Sequence, residues 1–393
     1  MGGNVMFKAN VGSSIAPEAK KAGIEAGLAA KNGLDAVKMA FVYGSCEYDV
    51  DQMIAGVKES MPGVPLIGNT SFTGIITPEG FVGSDGGFVG VMAFSDENMK
   101  VGIAASERGK SPIETGKAVA LEAMKKAGKD TAPAFFYMAA SPAEEEFYLK
   151  GISSVIGRVP LFGGSAADNT IGGEWKLYTS GTSFADGLAV AFFYTEVKMT
   201  NLFTGAYRET DDFGVITKVD GNRTLVEIDG VPAVQKYKEW TGCSKDAVTG
   251  GNLLVTCINS PLGVKDRLGD LIAIRHPMNG NDDGSMAIGS NLAEKTCVIR
   301  MEATQDELID STGNTLKELI AKMEAKPDAF HMVHCGGRRA GIGDRIGEVA
   351  KQVKEAAGDV PFIIEFTFGE YGFESDNNNT CGGLMLSFTG FSK

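Results

Sequence analysis

The sequence lacks the features that membrane-spanning and secreted proteins share. No apolar run approaches the roughly 20 residues that a bilayer-spanning helix needs. Residues 1–6 contain neither the charged stretch nor the apolar stretch of a signal peptide. The six cysteines are widely spaced among 393 residues and include no Cys-x-x-Cys pair, which excludes a disulfide scaffold. A reducing cytoplasm is the expected location, and a membrane is not an expected partner.

Positive charge is also scarce in this chain. It has 37 Lys and Arg residues against 50 Asp and Glu residues, which gives a net charge of -13. Because nucleic-acid binding needs clustered Lys and Arg, this balance predicts no nucleic-acid partner. With 43% hydrophobic residues the composition is that of a globular chain, and the length suggests about two or three domains.

An internal repeat organises the chain. The motif AFVY at Ala40–Tyr43 recurs as AFFY at Ala134–Tyr137, and VPLIG at residues 64–68 recurs as VPLFG at 159–163, a period of about 95 residues. A fainter third copy starts at Ala329. Between these motifs, apolar residues at i, i+3, i+4 and i+7 predict helices, and short apolar runs bounded by Gly and Pro predict buried strands. Each copy is expected to form helix–strand–helix–strand–turn–strand.

A different region, residues 198–300, separates the second copy from the third. It is rich in Asp-Gly and Asn-Gly turn signals, and runs such as Thr224–Ile228 alternate as strands do. The predicted fold class is therefore α/β of the mixed α+β type, in which repeated units form mixed sheets flanked by helices in two lobes. The expected domains are residues 1–197, with two repeats, and residues 198–393, with a β-rich part (198–300) and a third repeat-like part (301–393).

Six short motifs carry a family resemblance: PLIGNTSFTG (65–74), LFGGSAADN (161–169), EIDGVPA (227–233), CGGR (335–338), GEYG (369–372) and NNNT (377–380). No single motif is specific, but their order and spacing resemble the FIST family, named for F-box and intracellular signal transduction proteins, over nearly the whole chain. The resemblance implies amino-terminal and carboxy-terminal FIST domains. It also implies a sensory module that binds small metabolites such as amino acids.

The same resemblance bears on the expected partners. Many relatives join this module to kinase, cyclase or chemoreceptor domains, for which this chain offers no room. It is therefore expected to be a free-standing module that signals through an unknown downstream protein. The sequence leaves open whether the chain also forms a homo-oligomer.

Polar and glycine residues at the ends of the apolar strands form the expected ligand site. Glycine there permits a positive φ and lets a ligand approach backbone N–H groups. The guanidinium group of Arg338 can donate two parallel hydrogen bonds to the carboxylate of an amino acid, and Glu370 is placed to accept from its ammonium group. The alternatives are ordinary strand-exit turns, an arginine on the surface or paired with a structural acid, and a solvated loop. The expected ligand-binding residues are Asn69, Thr70, Ser71, Gly164, Ser165, Asp168, Asn169, Arg338, Glu370 and Asn378.

A hydrolase that uses Ser165 or Cys335 as nucleophile is one alternative function. Ser165 lies in a motif that falls short of the nucleophile elbow Gly-x-Ser-x-Gly, since Ala167 replaces its last glycine. Cys335 and His334 are neighbours on a predicted strand, so their side chains point to opposite faces and make no nucleophile–base pair. The sequence therefore predicts no catalytic residues.

A haem-binding nitric-oxide sensor is the other alternative, and it comes from the family resemblance. Haem iron needs an axial His, Cys, Met or Tyr, and the polar stretch after Glu370 holds asparagines but no histidine. His331 and His334 have the spacing of a helix face but lie on a predicted strand, which makes a poor metal site. We therefore expect neither a cofactor nor a bound metal.

Overall fold

Three of the four sheets that the described residues form share one strand order. The computed structural model describes residues 7–83, 85–265, 272–373 and 379–393, and it has the mixed α/β character that the sequence predicts. Each of the three similar sheets contains a parallel pair of strands beside antiparallel ones. We call the stretches of chain that form them the first, second and third unit.

The first unit (residues 8–95) builds a sheet with two helices packed against it. Its elements are β1 (Lys8–Ser14), α1 (Ala19–Lys31), β2 (Val37–Gly44), α2 (Val50–Ser60), β3 (Leu66–Thr70), β4 (Ile75–Thr77), β5 (Gly80–Val82) and β6 (Val89–Ser95). The strand order is β1–β6–β2–β3, with β2 and β3 parallel. The first strand of the unit thus pairs with its last.

The second unit (residues 100–194) repeats this arrangement. Its elements are β7 (Lys100–Glu107), α3 (Pro112–Lys126), β8 (Phe135–Ala140), α4 (Glu145–Ile156), β9 (Leu161–Ser165), β10 (Leu177–Thr179), β11 (Ser183–Phe184) and β12 (Gly187–Tyr194). The strand order is β7–β12–β8–β9, with β8 and β9 parallel.

The third unit starts with β13 (Lys198–Thr204) and is then interrupted by residues 208–302, which we call the β insert. The described residues of the insert form the fourth sheet, with two short helices beside it. Its elements are β14 (Arg208–Asp220), β15 (Thr224–Ile228), β16 (Val231–Pro232), α5 (Ala233–Thr241), α6 (Asn252–Thr256), β17 (Leu262–Lys265), β18 (Ile272–Arg275), β19 (Pro277–Gly280), β20 (Met286–Ile288) and β21 (Cys297–Glu302).

The rest of the third unit follows the insert and returns to the common order. Its elements are α7 (Gln305–Lys322), β22 (Ala329–Cys335), α8 (Gly336–Ile342), α9 (Ile346–Ala357), β23 (Phe362–Thr367), β24 (Glu370–Phe373), β25 (Asn379–Gly382) and β26 (Leu386–Ser392). The strand order is β13–β26–β22–β23, with β22 and β23 parallel.

The three units exchange hairpins in a cycle. The β4–β5 hairpin of the first unit pairs with β23 of the third. The β24–β25 hairpin of the third pairs with β9 of the second, and the β10–β11 hairpin of the second pairs with β3 of the first. Each of these sheets is therefore completed by a neighbouring unit.

The inner faces of the three sheets meet in one apolar core. Phe41, Tyr137 and His331 each lie one residue after the start of the parallel pairing in their own sheet. Their rings contact one another, with centroids 5.0 Å apart for Phe41 and Tyr137, 5.0 Å for Phe41 and His331, and 5.6 Å for Tyr137 and His331. Side chains in matching positions therefore close the core around a common centre.

The helices cover the outer faces of the sheets. In α2 the apolar residues Val50, Met53, Ile54 and Val57 are buried, as their spacing predicts. Glycines let paired helices touch, because a Cβ at Gly116 of α3 would lie 2.3 Å from the carbonyl oxygen of Tyr148 in α4. None of the helices in the described residues has the length and apolar character needed to cross a bilayer.

Candidate functional site

The ends of β3, β9 and β23 meet at one place, where the three units bond to one another. The N–H of Ala167 donates to the carbonyl oxygen of Thr70 at 2.9 Å, and the N–H of Phe72 donates to that of Phe366 at 2.9 Å. The N–H of Ser165 donates to the carbonyl oxygen of Gly369 at 2.8 Å. Backbone hydrogen bonds therefore link all three strand exits.

A cavity of about 370 Å³ lies beside these exits, between the three units and the β insert. We call it the central cavity. A larger cleft, of about 850 Å³, is lined by residues of the insert alone. The central cavity is lined by Phe72, Pro142, Ala143, Glu145, Ile171, Trp175, Arg223, Leu254, Val255, Ile258, His276, Met278, Ile288, Gly289, Cys335, Gly336, Gly337, Ala340, Phe368 and Gly383.

Three aromatic side chains, one from each unit, form a wall of the central cavity. The ring centroids of Phe72 and Phe368 are 5.8 Å apart, and those of Trp175 and Phe368 are 6.2 Å apart with the rings nearly perpendicular. The indole N–H of Trp175 donates to the carbonyl oxygen of Ala185 at 3.0 Å, which fixes that ring. All three rings are only partly buried by protein, so they present an apolar surface to the cavity.

The buried carboxylate of Asp168 holds the loop that carries part of this wall. It accepts hydrogen bonds from five consecutive backbone N–H groups, those of residues 170–174. This loop contains Ile171 and leads to Trp175, both of which line the cavity. A polar residue behind the wall thus positions apolar residues that face the cavity.

An ion pair joins the second unit to the β insert at the edge of the cavity. Arg223 donates from Nη2 to Glu145 Oε2 at 2.9 Å and to Glu146 Oε2 at 2.6 Å, and from Nη1 to the carbonyl oxygen of Gly289 at 2.7 Å. Burial raises the pKa of Glu145, while the Arg223 charge lowers it. Glu145 Oε1 also accepts from the hydroxyl of Ser165 at 2.9 Å.

His276 and Cys335 are the other functional side chains in the wall. Burial lowers the pKa of His276 to about 4, so the ring is neutral at neutral pH. Its Nε2 lies 2.9 Å from the carbonyl oxygen of Leu254 and therefore carries the proton. Burial, followed by the charge of Glu370, raises the pKa of Cys335, whose Sγ accepts from the N–H of Gly337 and of Leu384.

A second polar cluster is fully enclosed in the core. Asn69 Nδ2 donates to Glu365 Oε2 at 2.8 Å, and the Tyr137 hydroxyl donates to Asn69 Oδ1 at 2.9 Å. His331 Nε2 forms a hydrogen bond with the Tyr43 hydroxyl and lies 3.8 Å from Glu365 Oε1. Burial raises the pKa of Glu365 to about 8 and lowers that of His331 to about 3. Both groups are therefore mainly neutral at pH 7.

The structure brings the expected site residues of the strand exits together, but it places them behind the cavity wall. Asn69 belongs to the enclosed cluster, Thr70 Oγ1 accepts from the N–H of Lys176, and the Ser71 hydroxyl accepts from the N–H of Phe366 at 2.8 Å. Asn169 Oδ1 accepts from the N–H of Thr73. These contacts link the turns of one unit to another.

The remaining expected residues also lie next to the wall. Gly164 pairs with Glu370 between β9 and β24, and the buried hydroxyl of Ser165 is bonded to Glu145 and to Tyr371. Arg338 follows the wall residue Gly337 and is fully buried. Asn378 lies outside the described residues. Direct ligand contact by these residues stays a prediction.

The sequence did not single out Glu145, Arg223, Trp175 or His276 as ligand-site residues. Trp175 is one of only two tryptophans, which is a usable signal, and Glu145 lies in a run of three glutamates. Arg223 has no local motif, because its partners are 77 and 78 residues away in sequence. No three His, Cys, Asp or Glu side chains are placed to hold a metal ion within the described part of the chain.

Comparisons with known proteins agree with the family that the motifs indicate. The family model described as FIST N domain matches residues 38–231, and that described as FIST C domain matches residues 233–372. No curated protein matches the chain.

Among solved structures, cyanuric acid hydrolase from A. caulinodans is 10% identical, with 99% of this chain and 100% of that chain covered and a TM-score of 0.38. Phosphoribosylformylglycinamidine synthase II from Thermotoga maritima is 11% identical, with 99% of this chain and 73% of that chain covered and a TM-score of 0.25. Scores this low support no conclusion about function.

Proposed function

The chain belongs to the FIST family, and from this premise we propose that it is a sensory module that binds a small molecule in the central cavity and catalyses no reaction. FIST domains are sensory domains of signal transduction. The observation that carries the proposal is a cavity whose wall takes residues from all three units and from the β insert. A ligand there contacts four parts of the fold at once, so its binding can bias their arrangement.

The chemistry of the candidate nucleophiles supports binding rather than catalysis. The hydroxyl of Ser165 is fully buried and donates to a carboxylate that already pairs with Arg223. The thiol of Cys335 has its pKa raised by burial, and the reactive form of cysteine is the thiolate. Neither group has a histidine among its hydrogen-bond partners in the described residues, so neither forms the nucleophile–histidine pair of serine and cysteine hydrolases.

The haem alternative has less support from the cavity. His331 and His334 are fully buried in the core and lie outside the cavity wall. His276 does line the cavity, but its Nε2 is bonded to the carbonyl oxygen of Leu254. Addition of haem to the purified protein tests this alternative, since a Soret band that is lost in the His276→Phe variant would support it.

An amino-acid ligand is the finer hypothesis, and it depends on Arg338 and Glu370. Arg338 Nη2 donates to the Leu308 carbonyl oxygen at 3.1 Å and to the Ser311 hydroxyl at 2.6 Å, while Nε and Nη1 have no hydrogen-bond partner among the described residues. Glu370 Oε2 accepts from the N–H of Met385. An amino acid would have to reach these groups behind the wall at Gly337. Arg338→Lys, which keeps the charge but loses the fork, should then abolish amino-acid binding.

The proposal is tested by a melting screen of the purified protein against a broad metabolite panel. A ligand of the folded state stabilises it by RT ln(1 + [L]/Kd), about 2.7 kcal/mol at a hundred times Kd. Ala340 lies at the exposed edge of the cavity, so Ala340→Trp should fill the cavity and abolish the shift. Ala321→Trp, at an exposed position near the end of α7, is the matched control. The absence of any stabilising metabolite, or a shift that survives Ala340→Trp, would refute the proposal.

We also propose that the module acts in the cytoplasm through a downstream signalling protein. Each of the six cysteines is free, which fits a reducing compartment. Two exposed apolar residues, Ile171 and Val255, lie at the rim of the cavity, where a partner can sense whether a ligand is bound. Pull-down with and without the stabilising metabolite tests this step, and capture that does not depend on the metabolite would contradict it.

A further inference from the structure

The charges in the central cavity already neutralise one another. Among the described residues that line it, the charged side chains are Glu145 and Arg223, and they pair at 2.9 Å. Arg223 Nη2 also donates to Glu146, and its Nε and Nη1 donate to Asn291 Oδ1 and to the carbonyl oxygen of Gly289, so each guanidinium nitrogen has a partner. A charged ligand would lose its hydration on entry without meeting an unpaired opposite charge. The wall therefore disfavours ions, including the zwitterion of a free amino acid.

Among the described residues, His276 brings an unused side-chain hydrogen-bond acceptor to the cavity wall. Because Nε2 of His276 carries the proton that it shares with the carbonyl oxygen of Leu254, Nδ1 holds a free lone pair. Nδ1 has no hydrogen-bond partner among the described residues, although His276 lines the cavity. A ligand that leaves this acceptor unpaired pays a desolvation cost, whereas a ligand with an N–H or O–H donor satisfies it.

The aromatic wall selects for shape. Three rings from the three units converge on it: the ring centroid of Phe368 lies 5.8 Å from that of Phe72 and 6.2 Å from that of Trp175. The apolar side chains of Ile258 and Met278 also line the cavity. Aromatic pairs prefer offset or edge-to-face contacts, which a flat ring placed against this wall can make. A volume of about 370 Å³ is at the small end of the range for ligand pockets, roughly 300–1,000 Å³.

We propose that the central cavity binds a small, uncharged aromatic molecule with one hydrogen-bond donor, and that it rejects the same ring when the ring carries a charge. The inference rests on the proposed function, because it takes the central cavity as the sensory site. The donor bonds to Nδ1 of His276, and the ring packs against Phe72, Trp175 and Phe368. Selectivity follows from the paired Glu145 and Arg223, which leave no charge free for a ligand.

A series of probes that share one ring tests the inference. Indole is neutral and has one N–H donor, and 1-methylindole lacks that donor. Tryptamine adds a positive charge to the indole ring, indole-3-acetate adds a negative charge, and tryptophan adds both. Ligand-observed NMR titration of the full chain measures their dissociation constants into the millimolar range. We expect indole to bind about tenfold more tightly than 1-methylindole, the value of one hydrogen bond, and at least tenfold more tightly than each charged probe.

Two variants place the binding in the cavity. Ala340→Trp should abolish indole binding and Ala321→Trp should leave it unchanged. His276→Phe should weaken indole about tenfold and leave 1-methylindole unaffected, so that the two probes bind equally. If His276→Phe does not fold, the comparison of indole with 1-methylindole on the unmodified protein still decides whether a donor is recognised.

Several outcomes would overturn the inference. These are a charged probe that binds as tightly as indole, equal affinities for indole and 1-methylindole, indole binding that survives Ala340→Trp, and no binding by any of the five probes at millimolar concentration. None of these results refutes the proposed function, which the metabolite screen tests independently. A charged metabolite that stabilises the protein through the cavity would support the proposed function and defeat this inference.

Discussion

The enclosed carboxyl group of Glu365 makes the stability of the protein depend on pH in a predictable direction. Burial raises its pKa from 4.5 to about 8. Between these values the folded protein holds a proton that the unfolded chain has released, so stability falls as pH rises. The free energy of unfolding falls by up to about 1.4 kcal/mol per pH unit. The total decrease is roughly 5 kcal/mol once the pH exceeds the pKa of Glu365 in the folded protein.

The variant Glu365→Gln removes this dependence. In the parent protein, Asn69 Nδ2 donates to Glu365 Oε2 at 2.8 Å, and the side-chain oxygen of glutamine can accept the same bond. Glutamine also resembles the protonated acid in size and charge. At pH 5 we expect the variant and the parent protein to differ by less than about 1 kcal/mol, within the range of one neutral hydrogen bond. At pH 8 the variant should be more stable by roughly 3–5 kcal/mol, because it carries no charge to bury.

Melting temperatures measured by circular dichroism from pH 5 to pH 8.5 provide the assay. At roughly 1 °C per kcal/mol for a chain of this size, the two melting curves should separate by several degrees as the pH rises. Glu355→Gln, at an exposed position on α9, is the control and should follow the parent protein throughout. Melting temperatures of parent and Glu365→Gln that change in parallel with pH would refute the assignment of a neutral Glu365.

Three further predictions concern the wall, the helices and the insert. Asp168→Asn should lose the two hydrogen bonds that Oδ2 accepts from the N–H groups of Gly173 and Glu174, so that hydrogen exchange at these two residues rises at least tenfold while the core is unchanged. Gly116→Ala forces a Cβ to 2.3 Å from a carbonyl oxygen and should lower the free energy of unfolding, measured with denaturant, by about 1–3 kcal/mol. The control is Gly347→Ala, whose Cβ meets nothing within 4 Å and which should be neutral or slightly stabilising. Arg223→Met leaves the buried carboxylate of Glu145 and the partly exposed carboxylate of Glu146 without their cation, and should cost about 3–5 kcal/mol. Combining it with Glu145→Gln should recover part of that loss, and simple additivity of the two changes would contradict the pairing.

Local patterns in the sequence were sufficient to predict many of the elements. The motifs VPLIG and VPLFG lead into β3 and β9, and the apolar stripe from Val50 to Val57 is the buried face of α2. Both signals depend on residues only a few positions apart. The division at residue 198 stays a prediction, and β13 (Lys198–Thr204), which starts there, pairs along its length with β26.

The alignment of the repeated motifs shows where pattern reasoning stops. The motifs AFVY and AFFY align Ala40 with Ala134. In the structure, the N–H of Ala40 donates to the carbonyl oxygen of Pro65. The equivalent bond in the second unit, to the carbonyl oxygen of Pro160, comes from the N–H of Phe136 and not from that of Ala134. Phe136 is therefore the structural counterpart of Ala40. A shift of two residues keeps every side chain on the same face of its strand, so hydrophobic alternation cannot detect it.

The cavity could not be predicted from the sequence because its walls are joined by contacts between distant residues. Arg223 meets Glu145 across 78 positions, and Phe72 packs against Phe368 from another unit. The expected site residues were drawn from the strand exits, where glycine and polar residues cluster. Those residues lie behind the wall of the central cavity, whereas the residues that line it come largely from the turns after those exits and from the insert.

The exchanged hairpins also determine when folding can finish during synthesis. The β4–β5 hairpin leaves the ribosome early, but the strand with which it pairs, β23, is made only near the end of the chain. Pairing between such distant segments is slow, and until it occurs the hairpin presents an open backbone edge to other nascent chains. We therefore expect chains that stall before β23 to aggregate or to be held by chaperones, and to become compact only once the last third of the protein has emerged.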